Sequence, residues 1–171
     1  MKLFLLFFTI LVFPSLLFAG GETDNVSYQG GTYAVIPYGV TYIDRDSGLS
    51  NKGLTSLKIP SSVTIIGDSA FNRNLLTSVT IPDSVTSIGY NAFSDNRLTS
   101  VTIPDSVIFI RSGAFANNDL RSITIGADVN WDVDYSSQQS RSFTEAYKKN
   151  NRRAGTYTSP DGQNWNYSSR R

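Results

Sequence analysis

The chain has 171 residues, the length of a single globular domain. It contains no cysteine and no histidine, which excludes disulfides, thiolate nucleophiles, zinc sites built from these residues, Ser–His–Asp triads and histidine-ligated haem. Apolar residues make up 40% and aromatic residues 12% of the chain, so the composition allows a packed core and argues against disorder.

Residues 1–19 have the pattern of a secretory signal peptide. Lys2 gives a basic start, an apolar run extends from Leu3 to Phe18, and Ala19 would precede the cleavage site. This run is shorter than the roughly 20 residues that a membrane-spanning helix needs, which favours cleavage over an uncleaved anchor. We expect a chain that is secreted or on the cell surface, or alternatively periplasmic, with no stable membrane insertion after cleavage.

A repeat of about 22 residues dominates the rest of the sequence. The positions that recur at a constant spacing are Pro60, Pro82 and Pro104; Phe71, Phe93 and Phe115; and Asn74, Asn96 and Asn118. A further copy starts at Leu120. A degenerate copy starts at Ile36, one residue further upstream than the constant spacing would place it, with Ser47-Gly48 in place of Ala-Phe. The spacing predicts four to five repeats over residues 36–129, of which the first and last are degenerate.

Within a repeat, the residue pattern predicts short extended segments. In residues 100–103, serine and threonine alternate with valine and isoleucine, which is typical of a strand, and Pro104 ends the hydrogen-bonded ladder. Val107 and Ile110 indicate a second extended stretch, and Ala114-Phe115 suits a helical turn that directs the ring inward. Since a single repeat cannot bury enough surface to fold alone, the pattern predicts a β-rich α/β solenoid with one short strand and one short helical turn per repeat.

The pattern L-x-x-V-x-I-P-x-S-V-x-x-I-x-x-x-A-F-x-x-N resembles the BspA-type, or treponemal, leucine-rich repeats. Phe143, Tyr147, Trp165 and the segment 154–157 are similar to the terminal segment of some treponemal members. The resemblance implies a right-handed superhelix of 22–23-residue repeats, capped at both ends, with no catalytic residues. It also implies a bacterial surface or secreted protein that binds host matrix proteins or other cells.

Two positions depart from the repeat pattern besides Ser47-Gly48. Arg111 stands where Gly67 and Gly89 stand in the preceding repeats, and Gly126 replaces the recurrent proline. An open solenoid exposes apolar ends that need covering, so we expect these departures to belong to capping repeats. Residues 20–35 read as an N-terminal cap hairpin around Gly30-Gly31.

Residues 130–171 read as a C-terminal cap. Ser142 and Glu145 form a possible capping box, which predicts a short helix over residues 143–150. A final hairpin is expected over residues 155–168, with its turn at Pro160-Asp161.

Charge is divided between the two parts of the chain. Residues 20–140 carry a net charge of −5 and residues 141–171 a net charge of +5. The basic part is expected to be a solvated end, with contact to the acidic repeats, a polyanion or a membrane surface as alternatives. Its bases are spread too sparsely over residues 141–171 to indicate a nucleic-acid partner.

Two rows of side chains are candidate ligand contacts. The first strand directs hydroxyl and lysine side chains outward; these candidates are Lys58, Thr80, Thr102 and Thr124. They form either an ordinary soluble sheet face or a contact for an extended partner. The second strand offers Tyr42, Ile65, Ile108 and Phe109, which form either an exposed apolar patch for a ligand or a contact with a cap.

The remaining motifs predict structure rather than chemistry. Asn74, Asn96 and Asn118 are expected to bond the backbone of adjacent turns. Asp83 and Asp105 lie one repeat apart, yet the loop patterns of calcium sites are absent, and nothing else supports a glycosidase pair. We therefore predict no catalytic residue, no cofactor and no metal site.

These observations together predict a binding module rather than an enzyme. Its partner would be a protein or glycan of the host matrix or of a neighbouring cell. The alternative is a structural protein of the envelope or periplasm that associates with itself and has no host ligand.

Overall fold

The structure, a computed structural model, describes residues 32–132 and 137–169. The predicted signal peptide and the first arm of the predicted N-terminal hairpin lie outside the described residues. The elements in chain order are β1 (Tyr33–Val35), β2 (Tyr42–Ile43), a 3₁₀ turn (Arg45–Ser47), β3 (Ser56–Lys58), β4 (Ile65–Ile66), β5 (Ser87–Ile88), β6 (Ser100–Thr102), β7 (Phe109–Ile110), β8 (Ser122–Ile125), β9 (Asn130–Trp131), α1 (Gln138–Lys149), β10 (Gly155–Thr158) and β11 (Asn166–Ser169). Within these ranges no helix is both long and apolar enough to cross a membrane.

The repeats stack through two columns of parallel strands. The second strand of each repeat forms a five-stranded sheet in the order β2-β4-β5-β7-β9. The first strands pair less regularly: β1 pairs with β3 and β6 with β8, while the equivalent segment 78–80 forms no strand. The second extended stretch of each repeat therefore builds the larger, five-stranded sheet. Strand β1 extends the repeat array, because it pairs in parallel with β3.

The register shows how the repeat length changes along the solenoid. Tyr42 pairs with Ile65, and this first step is one residue longer than the next two, from Ile65 to Ser87 and from Ser87 to Phe109. Phe109 then pairs with Asn130, and this last step is one residue shorter than the two before it. The sequence predicts the first, longer step; the last, shorter one was not foreseen.

The interpretation of Ser47-Gly48 as a replacement for Ala-Phe is wrong. Asn96 Nδ2 donates to Phe71 O at 3.0 Å, and Asn74 Nδ2 donates to Leu49 O at 2.9 Å, so Leu49 occupies the phenylalanine position of the first repeat. The additional residue of that repeat is absorbed in the 3₁₀ turn, whose N-cap Asp44 accepts from Asp46 N at 2.9 Å. The regular repeat spacing has therefore resumed before Leu49.

The turn that follows each second strand is helical in only one described repeat. Among residues 32–132, Arg45–Ser47 is the only helical segment. In the next repeats the backbone N–H groups of Phe71 and Phe93 donate to the carbonyls of Ala92 and Ala114 at 2.8 and 2.7 Å. Because these donors bond the neighbouring repeat, they are not available for a helix within their own repeat. This replaces the predicted helical turn with a turn bonded between repeats.

An aromatic stack runs through the core. The ring centroids of Phe71 and Phe93 lie 5.2 Å apart, and those of Phe93 and Phe115 lie 5.4 Å apart. The stack continues through Trp131, 5.7 Å from Phe115, to Phe143 of α1, 4.8 Å from Trp131. The contacts join the repeats to the C-terminal part of the chain.

The C-terminal unit, residues 137–169, packs on the last repeat. Its strand β10 pairs antiparallel with β8 on one side and with β11 on the other. Tyr147 Oη donates to Gly126 O at 2.7 Å and accepts from Val129 N at 3.0 Å. The unit therefore satisfies backbone groups that a further repeat would otherwise bond.

Helix α1 begins earlier than the sequence predicted. Its N-cap is Ser137, whose Oγ accepts from Ser140 N at 3.3 Å. Ser142, the predicted cap, lies inside the helix and donates to Gln139 O at 3.0 Å. The earlier start is consistent with burial of Ser140 and Phe143 one turn apart, which packs the first turn of the helix as well. The predicted helix over residues 143–150 is corrected to Gln138–Lys149.

Candidate interaction surfaces

The second strands place a row of apolar side chains at the surface. Tyr42, Ile65 and Phe109 are 38%, 39% and 41% exposed, and Ile108 is 55% exposed. The residue that follows Tyr42, Ile65 or Phe109 on its strand is fully buried, because successive side chains of a strand point to opposite faces; Ile108 comes just before β7. We call Tyr42, Ile65, Ile108 and Phe109 the apolar column.

The apolar column is interrupted at one strand. Register places Ile65 opposite Ser87 and Ser87 opposite Phe109. Ser87 is half-buried and presents a hydroxyl instead of an apolar group. The column therefore has two parts, a Tyr42–Ile65 part and an Ile108–Phe109 part, separated by one strand.

Two residues that the sequence analysis did not select complete the second part. The guanidinium carbon of Arg111 lies 5.6 Å from the ring centroid of Phe109 and 5.9 Å from that of Tyr90, which is 48% exposed. Arg111 Nη1 also lies 3.5 Å from Asp132 Oδ2. The signal for Arg111 was its departure from glycine, whereas Tyr90 is unmatched in the neighbouring repeats and gave no periodic signal.

Glycine at two repeat positions is explained by close approach of the preceding repeat. A Cβ at Gly67 would lie 2.7 Å from Tyr42 Oη, and one at Gly89 would lie 2.5 Å from Asp68 Oδ1. The Tyr42 side chain therefore lies against Gly67, the residue that follows β4. Partial burial, and then the negative charges of Asp44 and Asp68, raise the pKa of Tyr42.

The first-strand candidates do not form one continuous ladder. Lys58, Thr80 and Thr102 are exposed, but Thr80 lies in the segment that forms no strand. Thr124 is half-buried because β10 covers it: Thr124 Oγ1 and Thr156 Oγ1 share a hydrogen bond at 3.0 Å. Lys58 and Thr102 therefore lie on separate strand pairs. The hydroxyl of Thr124 already has a hydrogen-bond partner in Thr156.

A polar groove of about 430 Å³ lies on the turn side of the solenoid. Its side chains pair with one another: Asn72 Nδ2 donates to Ser94 Oγ at 2.5 Å, and Asn117 Nδ2 donates to Asp95 Oδ1 at 2.9 Å. These groups stabilise the stacking of turns, and we assign them no ligand.

The described acidic residues are not clustered in a metal-binding arrangement. In the part of the chain that the structure describes, no group of three or more acidic side chains is arranged to hold an ion. Asp105 has a structural place instead, since a Cβ at Gly126 would lie 2.9 Å from its Oδ1. That close approach leaves little room for a side chain at Gly126.

A leucine-rich repeat protein from Bacteroides ovatus, known from a crystal structure, is 30% identical over 56% of this chain, with a TM-score of 0.51. The match spans about a quarter of that protein, covering 27% of its chain. No match was found among curated proteins.

The family comparison covers most of the chain. The model of the BspA type leucine rich repeat region matches residues 28–144 in six copies, where the sequence predicted four to five over residues 36–129. Repeats of this kind support a protein-interaction module in general, are typically non-enzymatic, and are commonly found in surface or secreted proteins. The chain belongs to the BspA-type leucine-rich repeat family.

Proposed function

We propose that this chain is a secreted or surface-exposed binding module whose second-strand face holds a protein or glycan ligand of the host matrix or of a neighbouring cell. The observation that carries the proposal is the exposure of the apolar column, from 38% at Tyr42 to 55% at Ile108. Exposed apolar surface, which each of the two parts of the column presents, marks interaction sites, because leaving it in water costs free energy that a partner recovers.

The second-strand face is favoured over the first-strand face for its regularity. Its five strands pair without interruption, and backbone bonds such as Thr86 N to Thr64 O at 2.8 Å hold the strand positions fixed. A rigid surface loses little conformational freedom on binding. Lys58 and Thr102 lie on a sheet that is broken between β3 and β6, so they provide a less continuous contact.

The proposed location outside the cytoplasm rests on residues 1–19 and on the family's common occurrence in surface or secreted proteins. Its first test is the mass of the natural protein, together with its sensitivity to protease added to living cells. Loss of residues 1–19 and cleavage by the added protease are expected. A full-length, protected chain would contradict the proposed location.

Binding is tested with a panel of purified matrix proteins and glycans on a sensor surface. The variant carrying Ile65→Ser and Phe109→Ser is expected to lose affinity for any panel member that the natural chain binds. A matched variant carrying Lys58→Ser and Thr102→Ser changes the other face and is expected to keep that affinity. Unchanged binding by the first variant, with loss in the second, would move the site to the first-strand face.

A structural, self-associating envelope protein is the second candidate. The observation in its favour is the division of charge between the repeats, at −5 over residues 20–140, and the basic residues 141–171, at +5. Copies of one chain that carry opposite charges on different surfaces attract one another.

A further inference from the structure

We infer that a second copy of this chain docks on the second-strand face, through the cationic end of its C-terminal unit. The cationic end is defined as Lys148, Lys149, Arg152 and Arg153. The inference rests on the proposed function in one respect only, the choice of the apolar column as the contact surface. It names a second copy as the occupant, and no external ligand is needed to test it.

The apolar column has carboxylates at both ends of its strands. Beyond the strand ends, Asp44, Asp46 and Asp68 line an open pocket of about 310 Å³ together with Tyr42. Before the strand starts, Asp83 is exposed shortly ahead of Ser87. None of these four carboxylates lies in an ion pair within the described ranges, where the one such pair joins Arg111 and Asp132.

Arg45 also lines this pocket but forms no ion pair with these carboxylates. Its Nη2 donates to Ser69 Oγ at 3.1 Å, towards the turn side. The face therefore carries a local excess of negative charge that ion pairs among the described residues do not neutralise. An apolar surface with this surrounding fits a cationic partner better than a neutral or acidic one.

The cationic end has the opposite imbalance. Lys148, Lys149 and Arg153 are exposed and Arg152 is half-buried. None of the four is ion-paired with another described residue. Lys148 and Lys149 form the last turn of α1, where the helix dipole also favours positive charge. Among residues 32–132 and 137–169, one copy thus contains both an acidic face and a basic end without ion-pair partners.

The apolar column itself can accept lysine and arginine side chains. Arg111 already shows this contact within the monomer, since its guanidinium carbon lies 5.6 Å from the ring centroid of Phe109 and 5.9 Å from that of Tyr90. The aliphatic stems of incoming lysines would cover apolar surface while their charged groups reach the carboxylates. Each copy carries both surfaces, so the contact closes as a reciprocal dimer or continues as a chain of copies.

The test is sedimentation velocity of the chain lacking residues 1–19, at about 0.01 M and about 1 M salt, where the Debye length falls from about 30 Å to about 3 Å. Association is expected at the lower salt concentration and its loss at the higher. A chain that is monomeric at high concentration in both would overturn the inference.

Charge reversal identifies the two surfaces. One variant carries Lys148→Glu and Lys149→Glu; the other carries Asp46→Lys and Asp83→Lys, at two exposed carboxylates. Each alone is expected to weaken association about tenfold or more at low salt, and an equimolar mixture of the two is expected to restore it. Restoration is not expected if the substitutions merely unfold the chain. Association unaffected by either variant, or a mixture that stays monomeric, would overturn the inference.

A third variant, Phe109→Ser, tests the apolar part of the contact and is also expected to weaken association. The proposed function is measured separately, with the matrix panel at a salt concentration where the chain is monomeric. A monomer at all salt concentrations that still binds the panel through Phe109 would overturn the inference and leave the proposed function standing. Salt-dependent association without any panel binding would support the inference and contradict the proposed function.

Discussion

Asn96 reaches back across a whole repeat to Phe71, and Asn96 Nδ2 donates to Phe71 O at 3.0 Å. The same amide donates to Phe93 O at 3.1 Å, and its Oδ1 accepts from Leu76 N at 3.0 Å. One side chain thus satisfies backbone groups of two successive repeats. Asn74 and Asn118 repeat this geometry, which confirms the predicted bonding of adjacent turns.

Replacing Asn96 by alanine is expected to lower the free energy of unfolding by about 3 kcal/mol, because buried backbone groups lose their partners. Asn96→Asp is expected to cost at least as much, since a carboxylate cannot donate to the two carbonyls. Urea unfolding checks both. The matched control is Gln138→Ala, at an exposed amide bonded to Gln163, which is expected to cost under about 1 kcal/mol. Equal losses at both positions would contradict the assigned role.

Arg73 adopts a left-handed backbone conformation with φ of 55°. The equivalent residues of two other repeats, Asn51 and Asn117, have φ of 56° and 54°, and asparagine tolerates this region better than arginine. Arg73→Asn is therefore expected to stabilise the chain by about 0.5–1 kcal/mol. Arg97→Asn, at an exposed position outside the left-handed group, is the control and should change stability little. A thermal melt in which both variants shift equally would argue against strain at residue 73.

Tyr147 links the C-terminal unit to the last repeat through Gly126 O and Val129 N. Tyr147→Phe keeps the ring but leaves these backbone groups without their partner, and it is expected to cost about 1–3 kcal/mol. Amide hydrogen exchange at Val129 is the direct measurement, and faster exchange is expected there. Tyr38→Phe, at a side chain that is 84% exposed, supplies the control and should leave exchange unchanged.

Asp161 closes the turn between β10 and β11. Backbone hydrogen bonds from Asn164 and Gln163, followed by side-chain bonds from Asn164 and Ser159, hold the pKa of its carboxyl well below its usual value of 3.8. Since the folded pKa is lower than the unfolded one, the carboxylate stabilises the hairpin above about pH 4. That contribution is lost as pH falls below this value.

Trp165 reports on this turn, because it follows Asn164, which bonds Asp161, and because its indole Nε1 donates to Ser142 Oγ at 3.2 Å, a hydroxyl that also donates to Gly162 O. Acid titration of the natural chain is expected to change Trp165 fluorescence below about pH 4. Asp161→Asn is expected to weaken the hairpin at neutral pH and to remove that part of the acid dependence. The Trp131→Phe background isolates the signal of Trp165. An identical titration with and without Asp161 would rule out this carboxylate as the cause.

Periodicity predicted what every repeat shares. The constant spacing located the strand segments, the asparagine ladder and the outward position of Ile65 and Phe109, because stacking forces equivalent residues into equivalent surroundings. Both side chains are exposed, while their contact with a ligand stays a proposal.

Features confined to one repeat were harder to predict. Tyr90 and Arg111 meet at the surface only because their side chains cross between repeats, which a column-by-column comparison does not represent. Leu49 was misaligned because one additional residue can be placed at several points between Ile43 and Leu49 without changing the apolar pattern. The start of α1 was placed too late because a local capping motif competed with burial of the first turn.

The aromatic stack affects how the end of the solenoid unfolds. Trp131 lies between Phe115 of the repeats and Phe143 of the C-terminal unit, with centroid distances of 5.7 and 4.8 Å. Unfolding of either neighbour would expose the indole. The last repeat and the C-terminal unit are therefore not expected to unfold one before the other. We expect the last repeat and the C-terminal unit to unfold cooperatively, and the fluorescence emission of Trp131 to follow that unfolding.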